Sequence, residues 1–449
     1  MKRSGLVIIA FFLSIPFFAQ SEISKILYEV ADAPSSQRIE KDVRKLVSFG
    51  TRHTLSDTVS DTRGIGAARR WIKSEFERIS KDCNNCLEVK YQKSLVPKDG
   101  RRIIRDTWIV NVLAIQKGTQ YPHRYVIMSG DIDSRVTDVN NYTSDAPGAN
   151  DNATGMAGTM EAARVLSKYK FPVSIIYVGL SGEEQGLYGG KSLAKELRKK
   201  GVEVIGVLNN DMIGNIEGID GVIDNSTFRV FSEAISMKMT KRQKNAMRYY
   251  GGEVDGPSRQ LARYVEKLTR DYMTNLRAIM IYRLDRFGRG GHHRPFNDEG
   301  FTGVRIMETH ENYNRQHQDI RTENGIKYGD VIEGIDFDYA AKITAVNTLT
   351  LASLASAPKA PQNVMIGGVV KPSTTLQWDV DTDKELLGYK IYWRDTTAPQ
   401  WQYSKFVGKV NKYTLKNIII DNYFFGVASV GKNGAESLVQ FPGKLIPSK

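Results

Sequence analysis

The residues of this chain that are best suited to chemistry are a series of acids and one late histidine. The acids that come before the histidine fall just after apolar segments that are typical of β-strands. The series consists of Asp131, Asp133, Asp151, Glu183, Glu184, Asp211 and His317. Carboxylate and imidazole groups are the ligands of zinc in hydrolases, and a site for two ions needs a carboxylate that contacts both. Asp151, in the run Pro147–Gly155, is the predicted shared ligand.

The adjacent acids Glu183 and Glu184 suit a division of roles at such a site. Neighbouring side chains on a turn point in different directions, so one can bind a metal while the other faces a water molecule. A hydrolase needs such an acid–base group beside its water. The pair therefore indicates hydrolysis rather than a purely structural metal.

Strand-like and helix-like segments alternate around these residues, which predicts an α/β fold. The predicted strands cover residues 87–92, 107–115, 125–128, 173–180, 204–208 and 304–307, and helices are predicted near 63–80, 156–166 and 337–354. This alternation is typical of a mixed, largely parallel sheet sandwiched by helices, with functional groups beyond the carboxyl ends of the strands. The charged segment 228–291 is predicted to be a helical excursion followed by a loop.

Five short motifs carry a family resemblance over roughly residues 40–355. They are Ser129-Gly130-Asp131-Ile132-Asp133-Ser134, Pro147–Gly155, Gly182-Glu183-Glu184-Gln185-Gly186, Asn210-Asp211-Met212-Ile213-Gly214 and His317-Gln318-Asp319. In this order and spacing the chain resembles the co-catalytic dizinc aminopeptidases of peptidase family M28. The resemblance implies an α/β exopeptidase fold and two bound zinc ions.

The resemblance also implies a role for each residue. Asp151 would bridge the two ions, Asp211 would complete one site, and Glu184 with His317 would complete the other. Glu183 would be the general base for the water between the ions. Asp133 would orient the first-site ligand. The expected activity is removal of N-terminal residues from peptide or protein substrates.

Asp131 departs from the family pattern, which has His-x-Asp where this chain has Asp131-Ile132-Asp133. A carboxylate can replace the histidine as a zinc ligand. The additional negative charge makes the nearby water less acidic and favours harder, oxygen-preferring divalent ions at this site. The alternative is a weakened or lost first site.

The remaining histidines leave two questions open. His310 competes with His317 for the last ligand position, although His317 fits the family motif better. His292 and His293 match a family stretch that lines the pocket near the metals. They either shape substrate binding or are loop residues packed on Phe296.

Several functions are compatible with these residues. The leading prediction is a metallo-aminopeptidase. The same fold and site could serve another exopeptidase, a dipeptidase or an aminoacyl cyclase, because the group that anchors the substrate terminus is not evident in the sequence. A third possibility is a surface-binding protein whose site is catalytically weakened by Asp131.

The N-terminus predicts export from the cytoplasm. Residues 1–20 combine a basic start with a short apolar stretch, which is typical of a signal peptide and too short to span a bilayer. The mature chain is therefore expected to be secreted or periplasmic, without a transmembrane segment. The two cysteines, Cys83 and Cys86, are predicted to form a small disulfide in that oxidising compartment.

The C-terminal part changes in character after the Ala- and Pro-rich residues 355–361. Domains are predicted at 21–356 and 357–449, the second an all-β, immunoglobulin-like sandwich. This part resembles a fibronectin type III domain through Trp378, Tyr389, Leu415 and Tyr423. It could bind a surface, a glycan or a protein. The formal charge of +13 is scattered, and nucleic-acid binding is not expected.

Overall fold

The computed structural model describes residues 21–447, so the predicted signal peptide lies outside the described residues. The helices are α1 Glu22–Asp32, α2 Ser36–Val47, α3 Gly64–Asp82, α4 Gly155–Leu166, α5 Tyr188–Lys199, α6 Lys241–Tyr250, α7 Pro257–Tyr272, α8 His293–Asp298 and α9 Phe337–Ser356. The longer strands are β1 Leu87–Val96, β2 Thr107–Gln116, β3 Tyr121–Asp131, β4 Val173–Leu180, β5 Glu203–Asn210, β6 Thr227–Ser232, β7 Arg277–Ile281 and β8 Gly303–Glu308. The remaining strands are β9 Arg321–Glu323, β10 Ile326–Tyr328, β11 Met365–Gly367, β12 Thr374–Gln377, β13 Leu386–Asp395, β14 Tyr403–Gly408, β15 Lys412–Leu415, β16 Tyr423–Gly431 and β17 Lys444–Leu445.

An eight-stranded mixed sheet forms the centre of the molecule. Its strand order is β1-β2-β4-β3-β5-β8-β6-β7, and the central run β4-β3-β5-β8 is parallel. The outer pairs β1/β2, β2/β4 and β6/β8 are antiparallel. The predicted α/β fold with a mixed, largely parallel sheet is confirmed.

Helices cover both faces of this sheet, as parallel strands require. Every residue of β4 is buried. On one face α5 contributes Leu193 and Leu197 to the core, and α8 contributes Phe296. On the other face α4 contributes Met160 and α9 contributes Leu349. The parallel strands are therefore fixed on both sides, and their carboxyl ends form one rigid edge.

A close glycine contact brings α4 against the end of β3. A Cβ atom on Gly130 would lie 2.4 Å from the carbonyl carbon of Gly155, closer than real Cβ contacts allow. Since neither residue has a side chain, the first turn of α4 can pack directly on the strand. This contact places the loop that carries Asp151 beside the end of β3, where Asp131 lies.

The prediction for residues 228–291 is wrong in part. The segment contains helices α6 and α7, but β6 and β7 also belong to it and form one edge of the main sheet. Both strands are short, and each contains an arginine, Arg229 in β6 and Arg277 in β7. Local charge therefore masks two strands that pair through residues distant in sequence.

Two small sheets make up the C-terminal part. One has the order β15-β12-β11-β17 and the other β14-β13-β16. They share a core in which Trp378 and Tyr389 have ring centroids 5.0 Å apart, with Leu415 buried and Tyr423 partly buried beside them. The predicted small all-β unit is confirmed, while its limits at 357–449 stay a prediction.

A buried ion cluster attaches this all-β unit to α7. Asp255 Oδ1 lies 2.7 Å from Arg263 Nη1, and Asp255 Oδ2 lies 2.7 Å from Arg394 Nη2. Arg394 belongs to β13, whereas Arg263 belongs to α7. Tyr264 adds a hydrogen bond to the carbonyl oxygen of Glu436 at 2.8 Å. Because all three charges are buried, separating the two parts would leave Arg394 without its carboxylate partner, while Asp255 would stay paired with Arg263.

Two further predictions concern the cysteines and the helices. The structure joins Cys83 and Cys86 in a disulfide that follows α3. Among residues 21–447, no helix is both long and apolar enough to cross a membrane.

Candidate metal centre

The acids predicted from the sequence lie along one edge of the main sheet. In the parallel register Asp131 is paired with Leu180, so Glu183 follows β4 at the same level. Asp211 directly follows β5, whose residue Asn210 is paired with Ile306 of β8. The edge therefore gathers groups that are far apart in sequence, as expected where parallel strands end.

Asp151, Glu184 and His317 form a compact group of potential metal ligands. His317 Nε2 lies 2.8 Å from Asp151 Oδ2 and 3.1 Å from Glu184 Oε1. One ligand atom from each residue lies within 4.8 Å of the other two. His310 lies elsewhere, with its Nδ1 atom 2.9 Å from Asp220 Oδ2. His317 is thus the histidine that the fold places beside Asp151.

Two further side chains hold this group in place. Arg135 donates from Nε to Glu184 Oε2 at 2.8 Å, and its Nη2 atom lies 2.6 Å from His317 Nδ1. Buried Asp330 accepts hydrogen bonds from the backbone N–H groups of Asn150 and Asp151, both at 2.7 Å. Neither residue was predicted from the sequence. Arg135 takes up one carboxylate oxygen of Glu184 and leaves Oε1 facing His317, whereas Asp330 holds Asp151 through its backbone alone.

Asp131 and Asp211 occupy the inner side of the site and are held by other partners. Asn152 donates to Asp131 Oδ2 at 2.7 Å, and His292 Nδ1 contacts Asp131 Oδ1. Arg305 Nη2 lies 2.9 Å from Asp211 Oδ2. These two carboxylates therefore belong to the same acidic edge as Asp151, but they are stabilised by neighbouring donors rather than by His317.

His292 and His293 do not line the open cavity described below. His292 is completely buried against Asp131. His293 is also buried, and its Nε2 atom lies 2.8 Å from the carbonyl oxygen of Leu284. The structure thus places His292 behind a predicted ligand and His293 in a loop contact.

Asp133 holds the turn that carries the two glutamates. Its Oδ1 atom accepts from the N–H of Glu183 at 3.2 Å, and its Oδ2 atom accepts from the N–H of Glu184 at 3.1 Å. Thr54 donates a third hydrogen bond at 2.9 Å. The family resemblance implies that Asp133 orients the first-site ligand, whereas in the structure Asp133 orients the backbone of Glu183 and Glu184.

Burial and mutual repulsion raise the pKa of three acids at this edge, Glu183, Asp211 and Asp131. Burial, with added repulsion from Glu184 and Asp211, raises the pKa of Glu183 well above its usual range. Burial raises the pKa of Asp211 to about 8, against the opposing effect of Arg305. Burial and the nearby Asp133 also raise the pKa of Asp131 well above its usual range.

The donor chemistry of the site therefore fits a divalent cation. Buried carboxylates at this spacing repel one another, and a bound cation would remove that repulsion. The group Asp151–Glu184–His317 offers two oxygens and one nitrogen, a ligand set that zinc accepts in catalytic sites. Arg305, Asn152 and His292 leave fewer free oxygen atoms on Asp131 and Asp211, so these two carboxylates have less to offer a cation than Asp151 and Glu184.

A cavity of about 340 Å³ opens onto these residues. Asp151, Glu183, Glu184, Asp211 and His317 line its floor. The other charged residues of its wall are Arg102, Arg135, Lys191, Arg286, Arg289, Arg294 and Asp298. Leu187 is the only apolar side chain among its lining residues in the described chain. The site is thus reachable by a small polar molecule or the end of a peptide.

His317 gives the metal-free protein a pH-dependent stability. Burial disfavours its charged form, but Glu184 and Asp151 outweigh burial and raise its pKa from 6.5 to about 9. The stabilisation is complete below about pH 6.5 and is lost as the pH rises through about 9. A shift of this size corresponds to about 3 kcal/mol. His317→Gln should remove that loss between pH 6 and 10 in denaturant titrations of the metal-free chain.

Other acids titrate in the same range, so the informative quantity is the difference between wild type and variant at each pH. Asp211, with a pKa near 8, changes in both proteins and cancels in that difference. Parallel stability curves for the two proteins would show that His317 carries no stabilising proton.

Comparison with known proteins agrees with this geometry. The model of peptidase family M28 matches residues 111–331. A probable zinc metalloprotease of Pyrenophora teres f. teres is 44% identical over 420 residues, which cover 93% of this chain and 86% of that protein. A probable zinc metalloprotease of Leptosphaeria maculans is 43% identical over 424 residues, covering 94% and 97% of the two chains.

A solved structure shares the fold at lower sequence identity. The LapA aminopeptidase of Legionella pneumophila superimposes with a TM-score of 0.53 at 17% identity, over 79% of this chain and 78% of that one. With close relatives along nearly its whole length and the matching family motifs at one edge of the sheet, the chain belongs to peptidase family M28.

Proposed function

We propose that this protein is a zinc-dependent aminopeptidase that removes N-terminal residues from peptides. The observation that carries this proposal is the group Asp151–Glu184–His317 at the floor of an open cavity, with Glu183 lining the same cavity. Membership of a peptidase family supports hydrolysis of a peptide bond. The limited volume of the cavity supports action at a chain end rather than within a long chain.

The metal ions would be held by residues from both sides of Asp151. Asp151, Glu184 and His317 would hold the first, and Asp131, Asp151 and Asp211 the second. Bound zinc would act as a Lewis acid on the peptide carbonyl and lower the pKa of a nearby water molecule. The all-carboxylate second position suits a harder ion than zinc as well, because oxygen donors are preferred by such ions.

Glu183 is the proposed general base and acid. Its high proton affinity matches a group that takes a proton from the attacking water and returns it to the leaving amine. Asp133 fixes the backbone of Glu183, so the carboxyl group is held at the cavity without using its own oxygen atoms for structure. Arg135 and Asp330 keep the neighbouring ligands in position.

The proposed function is tested with end-blocked peptides and the zinc-loaded chain. A free N-terminus is required by an aminopeptidase, so N-acetylated peptides should resist hydrolysis while peptides amidated at the C-terminus are cleaved. The opposite pattern would indicate a carboxypeptidase, and cleavage only of unblocked dipeptides a dipeptidase. If no peptide is cleaved although the chain binds zinc, the catalytic proposal fails and a binding role remains.

The C-terminal unit and the location of the protein are part of the same proposal. We propose that residues 357–449 form a fibronectin type III-like unit, which is supported by two packed sheets around Trp378 and Tyr389. Its buried ion cluster with α7 supports a stabilising role in addition to any binding of a surface, glycan or protein. A secreted or periplasmic location rests on residues 1–20 and the disulfide, and signal cleavage would test it.

A further inference from the structure

The wall of the cavity is much more basic than its floor. Five acids line the cavity in the described chain, and four of them are the proposed ligands and general base. Asp298 is therefore the one remaining acid near the basic residues of the wall. The basic residues of the wall are Arg102, Arg135, Lys191, Arg286, Arg289 and Arg294. A bound cation at the floor would neutralise the acids there, and the wall would then attract anions.

Three of these basic residues have no carboxylate partner within 4.0 Å among residues 21–447, and we call them the basic rim. The rim consists of Arg102, Lys191 and Arg294. Lys191 and Arg294 are exposed, and Lys191 Nζ lies 5.2 Å from the centre of the Tyr188 ring. Their positive charges are therefore available to a ligand that enters the cavity.

The rim is close to the reacting groups. Arg102 donates from Nη1 to the carbonyl oxygen of Glu184 at 2.6 Å, which places its guanidinium beside the first ligand group. Arg294 packs along Gly290, where a Cβ atom would lie 3.8 Å from Arg294 Nη1. Lys191 belongs to the first turn of α5, which follows the turn of Glu183.

The other basic residues of the wall are already engaged. Arg135 contacts Glu184 and His317. Arg286 and Arg289 both contact Glu311, at 2.8 and 3.5 Å. Their positive charges are partly neutralised by these carboxylates, so we assign the selectivity for anionic ligands to the basic rim.

The cavity also lacks the surface that an apolar side chain would need. Leu187 is its only apolar lining side chain in the described chain, and the other uncharged lining residues are glycines. Burying an apolar side chain there would remove water from charged groups without an apolar contact in return. A polar, negatively charged ligand fits the cavity better.

We infer that this enzyme prefers substrates with a carboxylate next to the scissile bond, bound by Arg102, Lys191 and Arg294. This inference rests on the proposed function and specifies its substrate class. The carboxylate could come from an N-terminal Asp or Glu side chain, or from the free C-terminus of a short peptide. Both sources present the same anion, to which guanidinium and ammonium groups donate charge-assisted hydrogen bonds.

Matched substrate pairs test the inference and separate the two sources. Glu-p-nitroanilide and Gln-p-nitroanilide differ only in the side-chain charge, and Ala-Ala and Ala-Ala-amide differ only at the C-terminus. For at least one pair we expect kcat/KM to favour the acid by about tenfold or more, since one charge-assisted hydrogen bond contributes that much. The preference should decrease as salt is added.

Variants of the rim show whether these residues produce the preference. The double change Lys191→Met with Arg294→Gln should lower the acid-to-neutral ratio of kcat/KM to about one. Lys199→Met is the matched control, because Lys199 is exposed on the same helix, is absent from the cavity and should leave the ratio unchanged.

A binding measurement keeps the inference independent of turnover. Calorimetric titration of the zinc-loaded chain with L-glutamate and L-glutamine tests the side-chain source, and titration with L-alanine and L-alaninamide tests the C-terminal source. The acid of at least one pair should bind more tightly, and the double variant should lose the difference. Hydrolysis of both members of each substrate pair at equal efficiency would overturn the inference but leave the aminopeptidase proposal intact. Absence of all hydrolysis, with the acid still preferred in binding, would overturn the proposed function and leave the anion-binding role of the basic rim standing.

Discussion

Glu183→Gln should lower kcat by about 10²–10⁴-fold, the usual contribution of a general acid–base group, while the chain keeps its bound metal. The amide has nearly the same shape as the carboxyl group but cannot accept a proton from water. The backbone N–H of residue 183 would still donate to Asp133, so the turn should keep its conformation. The measurement is kcat on an unblocked peptide, with metal content determined on the same preparation.

Glu184→Gln provides the matched comparison, because it makes the same chemical change one residue away. Glu184 lies 3.1 Å from His317 Nε2 and belongs to the proposed ligand group. Its substitution should reduce metal content and activity together. If Glu183→Gln loses metal instead, or keeps wild-type turnover, the roles assigned to the two glutamates are wrong.

The main helices and strands could be predicted because each is encoded in a contiguous stretch of sequence. The helix predicted near 63–80 is α3, and the final predicted helix is α9. The strands that deliver Asp131, Glu183 and Asp211 are long apolar runs that end at a polar residue. Parallel pairing then brings their carboxyl ends to one edge, so these three acids could be predicted to lie together.

The partners of these acids could not be predicted in the same way, because they depend on contacts between distant segments. Arg305 pairs with Asp211 across two neighbouring strands, and His292 reaches Asp131 from the start of α8. Arg305 did leave a signal, since it interrupts the apolar run of β8 and a buried guanidinium requires an anion. The sequence did not show which anion that would be.

The role of Asp133 shows the same limit at shorter range. The family resemblance implied that it orients Asp131. In the structure its carboxylate instead accepts from the turn that follows β4, because β3 and β4 are adjacent and end at the same level. The motif therefore pointed to an orienting acid but not to the group that it orients.

Asp151→Asn should remove both of the proposed metal ions and lower activity by more than about 10³-fold, since metal catalysis contributes several kcal/mol. The Oδ2 atom of Asp151 lies 2.8 Å from His317 Nε2, and its charge adds to burial in raising the pKa of both Asp131 and Asp211. Its backbone hydrogen bond to Asp330 does not involve the side chain, so the fold should persist. Metal content by atomic spectroscopy and kcat on one peptide are the measurements.

Comparing Asp211→Asn with Asp151→Asn shows whether Asp151 binds both proposed ions, because Asp211 is proposed to bind only one. Asp211 contributes to the inner position alone, so its variant should keep the ion held by Asp151, Glu184 and His317 and lose the other. An amide at residue 211 also leaves Arg305 with Asp285 as its remaining carboxylate contact among the described residues. The change should therefore also be made together with Arg305→Met, to show whether any loss of metal comes from the unpaired arginine. If Asp151→Asn loses only one ion, as Asp211→Asn should, Asp151 is not the shared ligand.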